Sequence, residues 1–139
     1  MSDAQFTILA ADDELSIHRL VQAALDGRGY NLVEAHNGDE ALEKALLDRP
    51  DMVILDVMMP GLNGWELTRY FRSKPEFKEM GILILTGIGE SLNDMTSPLY
   101  GADAHLDKPF ELDDLVSKVE EVVALVRSRQ ADSEETAEA

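Results

Sequence analysis

The chain contains no cysteine. That removes disulfides, thiolate zinc centres and cysteine nucleophiles from consideration, and it suits a reducing cytosol. Basic residues are scarce: 12 Lys and Arg stand against 28 Asp and Glu, a formal net charge of −16. A field of that sign repels nucleic acid phosphates and anionic lipid, so neither nucleic acid nor a membrane surface is an expected partner. No apolar run approaches the ~18 residues of a membrane span. Residues 1–5 carry no basic segment of the secretory kind. A cytoplasmic protein is the expectation. There is also no internal repeat and no sign of a second domain. What is present is 139 residues, 45% of them hydrophobic, enough for one domain with a substantial core.

The most informative stretch is Val53-Ile54-Leu55-Asp56-Val57-Met58-Met59-Pro60-Gly61-Leu62-Asn63-Gly64. Val53, Ile54 and Leu55 read as a strand buried on both faces. Asp56 follows at once, and Pro60, Gly61, Asn63 and Gly64 turn the chain. A carboxylate therefore sits where a buried strand opens into a loop. In an open parallel sheet, ligands bind outside the strand carboxyl ends. By itself the stretch reads equally well as an Asp that caps the turn or the next helix.

The remaining chain repeats this grammar. Residues 6–11 predict a strand ended by Asp12-Asp13-Glu14. Ile17, Leu20, Val21, Ala24 and Leu25 then recur at helical spacing up to Gly27 or Gly29. Residues 30–35 predict a second strand, and Asn37-Gly38 a turn. Ala41, Leu42, Ala45 and Leu46 mark a helix that stops before Pro50. A third helix is expected at about 65–71, and a buried strand at 82–85 running into Thr86-Gly87. A helix over 91–100 is interrupted by Pro98. A last short strand spans 104–107, before Lys108-Pro109. Leu112, Leu115, Val116, Val119, Val123 and Val126 form the clearest amphipathic helix. Beyond Arg129, Asp132, Glu134, Glu135 and Glu138 meet no basic or large apolar residue, and 130–139 is expected to be a disordered acidic tail. Five alternations of strand and helix argue an α/β domain with a parallel sheet and helices on both faces.

In such a sheet, polar residues at four strand ends converge: Asp12 and Asp13, Asp56, Thr86, and Lys108. Each has a plainer reading alone. Asp12 and Asp13 can cap a helix, Thr86 can be an ordinary β-branched strand residue, and Lys108 can be a solvated charge. Clustered carboxylates repel unless neutralised. Mg²⁺ is a hard oxygen-seeking ion that suits such a site. Lys108 and the Thr86 hydroxyl would complete a place for a phosphoryl group, with Asp56 as the nucleophile that forms an acyl phosphate.

These residues carry a family resemblance. The acidic pair Asp12-Asp13, the run from Asp56 to Gly64, Thr86-Gly87, and Gly101-Ala102-Asp103-Ala104-His105-Leu106-Asp107-Lys108-Pro109-Phe110 together resemble the receiver domain of bacterial two-component response regulators, of the stand-alone, chemotaxis-regulator-like kind. The resemblance covers about residues 6–127, and the receiver is placed at 1–129. It implies a flavodoxin-like (βα)5 three-layer sandwich with strand order 2-1-3-4-5. Asp56 would be the phosphoacceptor, served by a histidine kinase or a histidine phosphotransfer protein. Mg²⁺ would be held by Asp13 and Asp56, by Asp12 through water, and by the Met58 carbonyl. The Lys108–Pro109 bond would be cis. Output would be a protein-binding surface on the last two helices and the last strand, switched through Thr86 and the residue three before Lys108. That residue is His105, where the family often has Tyr or Phe. Its inward swing is expected to be weaker and pH-sensitive. Met58 and Ile88 flank the expected path of the hydrolytic water and are apolar, so a slowly hydrolysing acyl phosphate is expected, without turnover of a separate substrate.

Two rival readings are a phosphorylation-independent interaction module on the same fold, and an enzyme of similar architecture. A haloacid-dehalogenase-like phosphatase needs an Asp two residues after its nucleophile, where Met58 stands. A flavodoxin or Rossmann binder needs a phosphate-cradling loop where Asp12-Asp13-Glu14 would repel one. Among the histidines, which show no metal spacing, His18 and His36 read as surface residues. The six methionines read as core filler.

Overall fold

The computed structural model describes residues 5–87 and 101–138, with side chains through 132. Five strands, β1 (Thr7–Ala11), β2 (Asn31–Ala35), β3 (Met52–Asp56), β4 (Gly81–Thr86) and β5 (Ala104–Asp107), form one sheet of order β2-β1-β3-β4-β5. Every pairing is parallel. Four helices are described: α1 (Leu15–Leu25), α2 (Gly38–Asp48), α3 (Gly64–Arg72) and α4 (Leu112–Glu138), with a 3₁₀ turn at Pro75–Phe77. The helix expected at 91–100, with Pro98 and the neighbouring Ile88, lies outside the described residues.

The apolar runs become central strands because both faces are covered. Side chains alternate across a strand, so each strand feeds two cores. Ile8, Ala10, Met52, Ile54, Leu83 and Leu85 pack with Ile17 and Val21 of α1 and with Leu115, Val119, Val122 and Val126 of α4. Leu9, Ala11, Val53, Leu55, Ile82 and Ile84 face Ala41 and Ala45 of α2, Leu67 and Phe71 of α3, and Phe77. This gives three layers, with β3 buried along its whole length and Asp56 at its end.

Two glycines seat the loop after β3. A Cβ on Gly38 would collide with the Leu62 backbone, while the Gly38 N–H donates to Pro60 O at 3.1 Å. A Cβ on Gly64 would stand 2.7 Å from Asp56 O. The loop is thus pressed onto the start of α2, and α3 begins directly against the end of β3. Asn63 and Glu66 close a reciprocal capping box on α3. Asn37-Gly38, read as a turn, is the N-terminus of α2, with the Asn37 side chain accepting from Glu40 N at 2.8 Å.

At the sheet edge opposite Asp56, Arg72 ties several elements together. It donates to Gly101 O at 2.7 Å, to Met80 O at 2.8 Å and to the Asp103 carboxylate at 3.0 Å. Asp103 also accepts from Ile82 N at 2.9 Å and from Arg129 of α4. Helix α4 continues to Glu138, through the stretch whose composition predicts disorder. Gln130, Ala131 and Glu134 are good helix formers. A polar composition denies a segment burial, but it does not forbid a helix that is propagated from a packed one. Gln130 remains attached to the body through Asp51 at 3.2 Å. No described helix is long and apolar enough to cross a membrane.

Candidate functional site

The parallel register brings four strand ends to one edge. Ala11 stands beside Leu55, Asp56 beside Leu85, and Thr86 beside Asp107. Asp12, Asp56 and Thr86 are buried there, while Asp13 and Glu14 are exposed. Carboxylate oxygens of Asp12, Asp13, Glu14 and Asp56 all lie within 4.8 Å of one another. Lys108 reaches into the group, with Nζ 3.1 Å from Asp12 Oδ2, 2.8 Å from Glu14 Oε1 and 3.4 Å from Asp56 Oδ2. The Lys108–Pro109 peptide bond is cis.

The electrostatics follow from this crowding. Burial, and then the charge of Asp12, push the Asp56 carboxyl up to about 7, against the opposing pull of Lys108 and a hydrogen bond from Met58 N. Burial also raises Asp12. Burial of Lys108 pulls its ammonium down, but the hydrogen bond to Glu14 and the charges of Asp12 and Asp56 outweigh it, and the net shift is upward. One ammonium does not neutralise four carboxylates. An all-oxygen set with two exposed members opening to solvent is the donor chemistry that Mg²⁺ takes, so the residues fit that ion.

The structure assembles Asp12, Asp13, Asp56 and Lys108 as the strand pattern predicts, and it adds details that the pattern does not reveal. Asp12 does not cap α1. It accepts from Glu14 N at 2.9 Å, and Glu14 is the N-cap residue, without a side-chain cap bond. Glu14 itself joins the acidic cluster and Lys108, a role that adjacency to Asp12-Asp13 hints at. The Met58 N–H donates to Asp56 Oδ1 at 3.3 Å, and its side chain is exposed. Thr86 lies at the edge, but its hydroxyl donates to Asp107 Oδ1 at 2.5 Å. His105 is partly exposed, with Nε2 3.9 Å from that same oxygen.

His18 is not a surface residue: it keeps 1% of its area exposed. Its Nε2 meets Asp12 O at 2.8 Å, its Nδ1 meets Glu34 Oε2 at 3.1 Å, and its ring lies 4.7 Å from that of His36. Its position in the α1 stripe between Ile17 and Val21 is the signal that could have placed it inside.

The family model described as the response regulator receiver domain matches residues 8–120. The chain belongs to the response regulator receiver family. This receiver is 38% identical over 132 residues to the response regulator MprA of Mycobacterium ulcerans, a match covering 94% of the chain and 54% of that protein. It is 40% identical over 112 residues to the transcriptional regulatory protein ResD of Bacillus subtilis, covering 81% and 45%. The receiver thus spans about half the length of the curated relatives it matches. Among solved structures, the chemotaxis response regulator CheY4 of Vibrio cholerae superposes with a TM-score of 0.76 at 33% identity, covering 86% of this chain and 99% of that one.

Proposed function

We propose that this receiver, placed at residues 1–129, accepts a phosphoryl group on Asp56 from a phospho-histidine donor and thereby switches a protein-binding surface. The observation that carries the reading is the Asp56 carboxylate at a parallel-sheet edge, with the Lys108 ammonium 3.4 Å away and the oxygens of Asp12, Asp13 and Glu14 within reach. An Asp56 oxygen attacks phosphorus, the donor's P–N bond breaks, and the leaving imidazole takes up a proton. Lys108 balances charge on the phosphoryl oxygens. Asp13 and Asp56, with Asp12 through water and the Met58 carbonyl, would hold Mg²⁺, which would supply further charge neutralisation.

Beside the site, Ile17, Leu20, Pro109 and Phe110, with Glu14 and Lys108, line a cleft of about 480 Å³. This apolar surface is where a histidine kinase or phosphotransfer protein would rest. Phosphorylation adds charge and acceptor oxygens. Thr86 and His105 answer that charge, and the last strand and last two helices present a changed face to a target protein. The change is a population shift, made in the cytoplasm, with neither nucleic acid nor membrane as the receiver's own partner.

The direct test is labelling with acetyl phosphate in MgCl₂, read by intact mass. One phosphoryl group is expected on the wild type and none on Asp56→Ala. Because Met58 and Ile88 are apolar, the label is expected to outlast many seconds. Labelling that survives Asp56→Ala, or a wild type that takes none, overturns the reading. A second expectation concerns His105, whose Nε2 stands 3.9 Å from the Asp107 carboxylate that accepts the Thr86 hydroxyl. His105→Tyr is expected to strengthen target binding by the phosphorylated protein more at about pH 6 than at about pH 8. Equal target affinity for the two proteins at both values removes His105 from the switch.

A further inference from the structure

We propose that Asp107 is a positioning residue that restrains Thr86 in the unphosphorylated state and so opposes the switch. The inference rests on the acceptor reading of Asp56 and adds the group against which a phosphoryl must compete. Strands β4 and β5 pair in parallel with Thr86 directly beside Asp107. The bond from Lys108 N to Thr86 O, at 2.6 Å, fixes that juxtaposition through the backbone. The Thr86 hydroxyl, buried at the site edge, donates to Asp107 Oδ1 at 2.5 Å. A threonine hydroxyl has one proton to give. While Asp107 holds it, no phosphoryl oxygen on Asp56 can accept it.

Two features suit Asp107 to a reversible restraint. Its acceptor is a carboxylate, and hydrogen bonds to ionised acceptors are stronger than neutral ones. Its side chain is 70% exposed, so water replaces the lost bond when Thr86 leaves. The restraint is therefore strong enough to bias two states and weak enough to be overcome by a group that favours one of them. Asp107 also joins the two switch positions. His105 lies two residues earlier, on the same face of β5, and its Nε2 stands 3.9 Å from the same Oδ1. In the resting structure that carboxylate oxygen is bonded to Thr86 and lies near His105, and release of the hydroxyl leaves it open to the imidazole.

The test uses beryllofluoride with Mg²⁺ as the probe, since it adds to an aspartate carboxylate as a phosphoryl mimic, and reads the emission of Trp65, the only tryptophan. Asp107→Ala is expected to bind beryllofluoride about fivefold more tightly than the wild type, the scale of one partly exposed hydrogen bond to a charged group. Asp107→Asn keeps an uncharged acceptor and is expected to fall between them. It also provides the measurement if the Ala variant does not fold. In a Thr86→Ala background, Asp107→Ala is expected to add nothing, which a merely structural role would not produce. Unchanged or weaker binding by the Asp107 variants, or a gain that persists without the Thr86 hydroxyl, overturns the inference while leaving the acceptor reading intact. A wild type that gives no Asp56-dependent response overturns both.

Discussion

Asp56→Asn is expected to melt above the wild type by about 3–10 °C near pH 7.5 in EDTA, a gain of about 1–3 kcal/mol, although it removes the proposed phosphoacceptor. Asp56 is buried, with a second buried carboxylate beside it, and its carboxyl is raised from 3.8 to about 7. Between those values the folded protein binds a proton that the unfolded chain has released. Wild-type stability therefore falls as pH rises through that window. The full shift of about three units corresponds to about 4 kcal/mol at most. Part of that is returned in the variant, because Lys108 loses a partner and the amide is itself buried. Thermal melts from about pH 4 to pH 8 decide the matter. The two proteins should draw together toward pH 4, where folded Asp56 is protonated and the unfolded chain is only about half ionised, and separate as pH rises. A gap independent of pH, or a variant less stable at neutral pH, contradicts the electrostatic account.

Lys108→Met is expected to change stability in the opposite direction. Its ammonium is the one cation that the described structure places among Asp12, Glu14 and Asp56, at 3.1, 2.8 and 3.4 Å. Removing one partner of a buried ion pair leaves the other charges uncompensated, which costs about 2–4 kcal/mol in a partly buried site near neutral pH. The remaining carboxylates can escape by protonation, and that escape becomes easier in acid. The loss should therefore shrink by about pH 5 and shrink again when MgCl₂ is added at neutral pH. Denaturant melts in the four combinations of pH and metal are the check. A loss that ignores both would mean that the aliphatic stem of Lys108, not its charge, supports the fold.

Much of the fold was legible because binary pattern and burial agree. Val53 to Leu55 and Ile82 to Leu85 are continuous apolar runs, and both became strands covered on two faces. The convergence of Asp12, Asp56 and Lys108 was legible for the same reason: parallel strands bring their carboxyl ends to one edge whatever the side chains do. Which donor meets which acceptor was not. The hydroxyl of Thr86 pairs with Asp107 because β4 and β5 align at that register, and composition carries no register. His18 escaped for a related reason. A polar residue on an apolar stripe is tolerated only where partners exist, and its partners, Asp12 O and Glu34, come from other elements. Helix α4 runs through the acidic residues because helix propensity persists beyond the apolar stripe that ends at Val126.

The network around Arg72 bears on how the domain can deform. One guanidinium and the Asp103 carboxylate fasten the end of α3, the beginning of β4, the approach to β5 and the side of α4 at the pole away from Asp56. With that foot clamped, a disturbance started at Thr86 is resisted least at the opposite rim. β4 and β5 are then expected to act as levers anchored at one end, with the greatest travel beside Asp56 and the least toward Arg72.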